Sequence, residues 1–232
     1  MKKLAFLIFV VAIVIGISLA YATGNVGNAS PWMTFKFDRG VRGSGVIKTE
    51  TRELPKFSAV DFGGAIEMEI VAQKDQKVEI EADDNIIPLI TTEVKGDTLY
   101  ISNQQRINWH SKVKVRISVQ DLNSLNVSGA SKASAANIKC DNFKIDVSGA
   151  SKINLAGETN NLSVEASGAS RVDANDLKAV KASADASGAS KIYVNATESV
   201  EADASGASGI SYSGNPKNVK KNASGASSVS SN

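Results

Sequence analysis

Residues 145–155 read I-D-V-S-G-A-S-K-I-N-L, and this stretch decides the fold. Its central tetrapeptide, Ser-Gly-Ala-Ser, occurs six times, starting at Ser128, Ser148, Ser167, Ser187, Ser205 and Ser224. Successive starts lie 20, 19, 20, 18 and 19 residues apart. A period near 20 residues is typical of a protein built from stacked repeats.

Apolar residues alternate with polar ones on both sides of each tetrapeptide. With the first Ser as position 0, position −1 holds Val127, Val147, Ala166, Ala186, Ala204 and Ala223. Position +5 holds Ala133, Ile153, Val172, Ile192, Ile210 and Val229. This alternation indicates strands with one buried face. The connections are too short for a crossover helix, so the sequence predicts an all-β, right-handed parallel β-helix with coils of about 20 residues and a narrow interior.

The prediction also says which side chains of the tetrapeptide point into the core. If the strand runs straight through it, the Gly at +1 and the Ser at +3 point inward like their apolar neighbours. We expect the inward Ser hydroxyls to bond to their equivalents in adjacent coils, which would satisfy buried polar groups.

The chain divides into three parts. Residues 1–22 have a basic start, an apolar run and the end Ala20-Tyr21-Ala22, so they indicate a signal peptide and export to the periplasm, outer surface or medium. An uncleaved membrane anchor is the alternative. Residues 23–45 are predicted to be a flexible leader. Residues 46–232 form the β-helix domain, with wider coils over 46–122 and regular coils over 123–232.

Charge and composition exclude several classes of function. Without Lys2 and Lys3 the chain has 24 basic and 24 acidic residues, which argues against binding of nucleic acid. The sequence has a single Cys, Cys140, so an internal disulfide is impossible. It has a single His, His110, beside Trp109, which indicates neither a zinc site nor a Ser-His-Asp triad. We therefore expect no catalytic residue, no metal and no cofactor.

Two rows of charged residues recur at fixed positions and are the candidate ligand-binding residues. Position +4 holds Lys132, Lys152, Arg171 and Lys191, and position −2 holds Asp146, Glu165, Asp185 and Asp203. Stacked coils place like charges about 4.8 Å apart, where they repel. The rows are either solvated surfaces that keep the protein soluble or a multivalent strip for a charged glycan, a lipid head group or Ca²⁺.

Two other functions compete with this binding hypothesis. Asp146, Glu165, Asp185 and Asp203 with Arg171 resemble the carboxylate clusters of polysaccharide-cleaving β-helix enzymes, but the adjacent turns are short and the repeat is unbroken. A self-associating envelope scaffold is the other alternative, because an exposed strand edge in the last coil could pair with another copy.

The order of motifs resembles a known bacterial family. The motifs are Gly43-Ser-Gly-Val-Ile, Arg52, Phe57, Val60-Asp61-Phe62, Asp83-Asp84-Asn85, Gly96-Asp-Thr-Leu-Tyr-Ile and the Ser-Gly-Ala-Ser repeats. Over residues 43–227 this pattern is similar to the auto-transporter adhesin head domains of the GIN type. The resemblance implies a secreted right-handed β-helix and brings no catalytic residues. We expect a non-catalytic, adhesin-like binding protein of the cell envelope, with a cell-surface glycan or lipid head group as partner.

Overall fold

A computed structural model describes residues 40–108 and 112–232, and the predicted signal peptide lies outside this part of the chain. The described residues form strands and one 3₁₀ turn, Ile87–Leu89. The strands are β1 Ile47–Arg52, β2 Ala59–Phe62, β3 Ile66–Val71, β4 Lys77–Asp83, β5 Ile90–Lys95, β6 Thr98–Asn103, β7 Val113–Ser118, β8 Ser124–Val127, β9 Lys132–Val147, β10 Lys152–Ala166, β11 Arg171–Ala186, β12 Lys191–Ala204, β13 Gly209–Ser213, β14 Asn218–Ala223 and β15 Ser228–Ser231. Within the described ranges, no helix is long and apolar enough to cross a membrane.

The regular coils stack in parallel with the register that the repeat predicts. Strand β10 pairs with β9 on one side and β11 on the other, and β11 pairs with β12. Equivalent residues face each other: Ile153 lies between Ala133 and Val172. The chain is thus a β-solenoid with coils of about 20 residues, which confirms the predicted fold class.

The core follows from the alternation of the sequence. The residues predicted to point inward at positions −1 and +5 are buried from the second repeat to the fifth, with exposed fractions of at most 4%. Alanines fill much of the interior, among them Ala174, Ala182, Ala184 and Ala202. Small side chains bring opposite walls of the coil together, so the interior is solid and narrow.

Each Ser-Gly-Ala-Ser forms a corner of the coil. Its Gly has a positive φ of 73–81° and is exposed, because the chain turns there instead of running straight. The predicted inward Gly is therefore wrong, whereas the Ser at +3 is buried in the first five corners. Successive corners are hydrogen-bonded, as in Ala150 N–H to Gly129 O at 2.7 Å.

The buried serines bond to the main chain and not chiefly to each other, contrary to prediction. Ser190 Oγ donates to Ala166 O at 3.1 Å and Ser208 Oγ donates to Ala186 O at 2.9 Å. These carbonyls belong to the preceding coil. The hydroxyls of Ser131, Ser151, Ser190 and Ser208 thus tie their coils to the one before, whereas Ser170 Oγ has no hydrogen-bond partner among the described residues.

The N-terminal part stacks its coils out of sequence order. Residues 59–71 form a degenerate repeat in which Gly63-Gly64-Ala65-Ile66 replaces Ser-Gly-Ala-Ser, and β2 and β3 pair in parallel with β8 and β9. On their other side β2 and β3 pair with β6 and β7. The coil formed by β2 and β3 therefore lies between the coil of β6 and β7 and the coil of β8 and β9. After β7 the chain passes the β2–β3 coil to reach β8 on its other side.

Antiparallel strands complete this end. Strand β4 pairs with β7, β1 pairs with β4, and β5 pairs with β6. Opposite residues of antiparallel strands share a face, so Lys48, Glu50 and Arg52 lie on the face of the buried residues of β4. Charged residues that point inward at an edge strand discourage pairing with another chain.

The segment before β1 is held by three consecutive polar residues. Asp83, which is buried, accepts a hydrogen bond from Gly45 N–H at 2.6 Å. Ser44 Oγ donates to Asp84 at 2.6 Å, and Ser44 N–H donates to Asn85 Oδ1 at 2.9 Å. The flexible leader over 23–45 stays a prediction, and in its described end Ser44 and Gly45 make these contacts.

Replacing Asp83 by Ala is expected to loosen residues 43–46, whereas Val41 keeps its backbone hydrogen bonds to Arg106 and Asn108. The loss leaves the Gly45 N–H without its acceptor, which costs about 1–3 kcal/mol in local opening. Hydrogen exchange at these amides is expected to accelerate while the amides of β9 to β12 keep their protection. Asp75→Ala, which removes an exposed carboxylate, serves as control, and equal exchange profiles for the two variants would contradict the assignment.

Candidate functional site

The basic row lies in register along the regular coils. We define it as Lys132, Lys152, Arg171 and Lys191. Lys152 faces Lys132 on one side and Arg171 on the other, and Lys191 faces Arg171. Each is the first residue of its strand, directly after a Ser-Gly-Ala-Ser corner. The corner therefore fixes the angular position of all four cations.

Three of these cations have no anionic partner among residues 40–108 and 112–232. Lys132, Lys152 and Lys191 are exposed and form no ion pair with the described residues. Arg171 lies 3.7 Å from Asp173 and stacks over the ring of Tyr193, 4.4 Å from its centroid. Lys132 also stands in register with Glu67 of β3, so the repulsion between the cations is least compensated at Lys152 and Lys191.

The acidic row occupies the strand segment on the other side of the corner. We define it as Asp146, Glu165, Asp185 and Asp203, which also stack in register. Lys144 bridges two of its members, lying 3.2 Å from Asp146 and 3.6 Å from Glu165. The hydrogen bond to Asp146 raises the pKa of Lys144, so this cation stays charged beside the row.

The structure does not bring the two rows together. The basic row follows the corner and the acidic row precedes it, and none of the ion pairs of the described residues joins them. Arg171 therefore does not lie among the carboxylates as the enzyme hypothesis required. In the described part of the chain, no three His, Cys, Asp or Glu residues are placed to hold a metal ion.

A groove that the sequence did not reveal runs along the strand segment that holds the acidic row. It encloses about 1100 Å³ and extends over several coils. One wall is position −6, and the other wall is position −4. Position −6 holds Asn142, Asn161, Lys181, Ser199 and Asn218, and position −4 holds Lys144, Ser163, Ser183, Glu201 and Lys220. Exposed polar and charged residues are common on any protein surface, so the sequence alone did not single out these positions. Only the stacking of the coils aligns them into two walls.

Cys140 belongs to no group of three His, Cys, Asp or Glu residues that could hold a metal ion in the described part of the chain. Cys140 is a half-buried free thiol whose sulfur lies 3.8 Å from Thr159 Oγ1. Burial raises the pKa of Cys140, which keeps it protonated near neutral pH. His110 and Trp109, expected to be an ordinary loop pair, lie outside the described residues.

The last coil presents a charged residue at an inward position. Among the described strands, β14 pairs only with β12, and β15 pairs only with β13. Lys221 stands at position −3, where the other coils place apolar residues, and its Nζ lies 4.6 Å from the ring centroid of Tyr212. An inward lysine opposes edge pairing. Self-association through this edge stays a prediction, and Lys221 weighs against it.

The fold defines a repeat protein, a β-solenoid whose exposed strands carry extended rows of like charges. A family model described as "Putative auto-transporter adhesin, head GIN domain" matches residues 56–216, and the chain belongs to this family. The resemblance derived from the sequence is thereby confirmed. Comparison with curated proteins gave no match.

Solved structures share the fold at low sequence identity. A "putative adhesin" from Bacteroides fragilis is similar with a TM-score of 0.69 and 20% identity, over 83% of this chain and 100% of that chain. A "putative lipid binding protein" from Parabacteroides distasonis has a TM-score of 0.55 and 20% identity, over 83% and 99%. A "putative adhesin" from Parabacteroides merdae has a TM-score of 0.54 and 16% identity, over 83% and 98%. These likenesses establish the fold alone.

Proposed function

We propose that this protein is a non-catalytic binding rod of the cell envelope, exported by its N-terminal segment, whose basic row binds a repetitive anionic surface component. The observation that carries the proposal is the basic row itself. Four cations stand in register at the coil spacing, and Lys132, Lys152 and Lys191 lack an anionic partner in the described structure. An anionic ligand would relieve the repulsion between them.

Regular spacing favours a repetitive ligand. Adjacent cations are one coil apart, about 4.8 Å along the stack. One exposed ion pair contributes only about 0–1 kcal/mol. Several such contacts made by one polymer, or by neighbouring head groups of one lipid surface, add up because the later contacts are intramolecular. The ligand class is therefore a polyanionic glycan or an anionic lipid head group.

The family and the fold support a role in binding over one in catalysis. The family carries the name of an adhesin head, and similar folds carry names of adhesins and of a lipid binding protein. The turns between the regular coils are short, and the repeat is uninterrupted along the basic row. Enzymes instead surround their chemistry with long loops.

The proposal is tested with a variant in which the whole basic row is changed to Gln. The full chain is measured for binding to an acidic polysaccharide and to vesicles containing phosphatidylglycerol, which separates the two sources of anionic groups. We expect binding to at least one probe, a loss of at least tenfold in the variant, about 1.4 kcal/mol, and weakening as salt rises.

A matched variant removes the same charge elsewhere. Lys56, Lys74, Lys178 and Lys217 are exposed, lie outside the basic row and are each changed to Gln. This control is expected to keep most of the affinity. Equal losses in the two variants would show that net charge and not the row is responsible, and the absence of binding to both probes would contradict the proposal.

A further inference from the structure

We propose that the groove between positions −6 and −4 is a second binding site, and that it holds one uncharged, extended, β-1,4-linked glycan strand along the axis of the stack. This inference goes beyond the proposed function, which concerns the basic row on a different strand segment. It rests on the groove's polar walls, its charge and its repeat.

The walls of the groove stand in register from coil to coil. Asn161 faces Asn142 and Lys181, and Ser199 faces Lys181 and Asn218. The second wall is aligned in the same way, with Ser163 facing Ser183. Between the walls runs the segment at position −5, whose side chains Phe143, Leu162, Ala182 and Val200 are buried in the core, whereas Val219 of the last coil is exposed. A linear ligand would thus meet two outward side chains at each coil. They are uncharged at six of the ten wall positions and charged at Lys144, Lys181, Glu201 and Lys220.

Hydrogen-bonding groups are available in the middle of the groove. Ser163, Ser183 and Ser199 are at least partly exposed, and their hydroxyls form no hydrogen bond with other described side chains. Each hydroxyl both donates and accepts. The amide of Asn161 donates to Asn142 Oδ1 at 2.9 Å, so the amides of these two adjacent coils are linked on one wall. Hydroxyls and amides are the partners that sugar hydroxyls require.

The charge of the groove disfavours a polyanion. Its lining contains four lysines and three carboxylates, a net charge of +1. Three of the lysines are already neutralised: Lys139 by Glu158, Lys144 by Asp146 and Glu165, and Lys220 by Glu201. The surface therefore matches an uncharged, hydroxyl-rich polymer. The basic row, with three unpaired lysines, is the surface that suits an anion.

The spacing between coils favours an extended polysaccharide as the ligand. Five positions on each wall span four coil intervals, about 19 Å at roughly 4.8 Å per coil. Each sugar of a β-1,4-linked chain advances by about the same distance as one coil. Successive sugars can therefore meet successive coils, whereas a helical α-linked chain would leave the groove.

The test measures how affinity depends on ligand length. The full chain is titrated calorimetrically with β-1,4-linked oligomers of glucose, of N-acetylglucosamine and of mannose, from dimer to hexamer. For at least one series we expect affinity to rise with each added sugar up to the pentamer, to change little at the hexamer, and to be insensitive to salt. An α-1,4-linked glucose hexamer is expected not to bind.

Two double variants locate the binding surface. The first variant, Ser163→Leu with Ser183→Leu, obstructs the groove. The control variant, Asn154→Leu with Ser211→Leu, adds the same two side chains at outward positions after the corner, away from the groove. The first variant is expected to lose at least tenfold in affinity and the second to retain it, with equal melting temperatures. Heat from none of the three series, affinity independent of length, or equal affinity in both variants would overturn the proposal. The Gln variant of the basic row is expected to bind these oligomers normally, so the two proposals fail separately.

Discussion

Replacing Ile192 by Asp is expected to destabilise the protein by more than about 4 kcal/mol, because it buries a carboxylate without a partner. Ile192 is fully buried and lies between Val172 and Ile210 of the adjacent coils. A charge there meets only apolar neighbours in the centre of the stack. Urea and thermal unfolding, followed by circular dichroism, measure the loss.

The neighbouring residue supplies the control. Lys191 points outward, and Lys191→Gln is expected to change the free energy of unfolding by no more than about 0.5 kcal/mol. The two positions are adjacent in sequence and differ only in the face they occupy. Equal destabilisation by the two changes would show that the assignment of inward and outward faces is wrong.

Replacing Gly149 by Ala is expected to cost at least about 3 kcal/mol, although it adds one methyl group. Gly149 has a φ of +79°, which is unfavourable for Ala. The added Cβ would also lie 2.3 Å from the carbonyl oxygen of Gly129 in the preceding coil. That carbonyl accepts the 2.7 Å hydrogen bond from Ala150 N–H, so relieving the clash breaks the bond between corners.

Gly96 separates the backbone cost from the steric cost. It has a φ of +63°, and an added Cβ would meet no atom within 4 Å. Gly96→Ala is therefore expected to cost about 1 kcal/mol, from backbone conformation alone. Comparing the unfolding midpoints of the two variants isolates the contact between stacked corners, and similar losses would mean that this contact contributes nothing.

The regular coils were predictable because the same alternation of apolar and polar residues recurs in every repeat. An inward residue such as Ile153 meets Ala133 and Val172 simply because the sequence places all three at position +5. The same rule placed the basic row and the acidic row in register. Alternation fixes the face of each residue, and an equal repeat length fixes the register, so both could be read without coordinates.

The N-terminal coils did not follow such a rule. The degenerate repeat of residues 59–71 lacks the Ser-Gly-Ala-Ser tetrapeptide, and nothing local shows that the coil of β6 and β7 stacks on its outer side. Strand order depends on which edges are free when distant segments meet. Likewise, only the antiparallel pairing of β1 with β4 puts Lys48, Glu50 and Arg52 across the end of the core.

By itself, the sequence determined the β-solenoid, its coil length, its core and the two charged rows, since alternation and period are local properties that stacking only copies. The tertiary structure decided the corner at Gly149, the coil order of the N-terminal part and the separation of the two rows. It also decided the groove, whose walls are ordinary Asn and Ser residues until stacking aligns them. These features depend on how far each corner turns the chain and on which strand edges meet, and both are settled only when distant coils pack together.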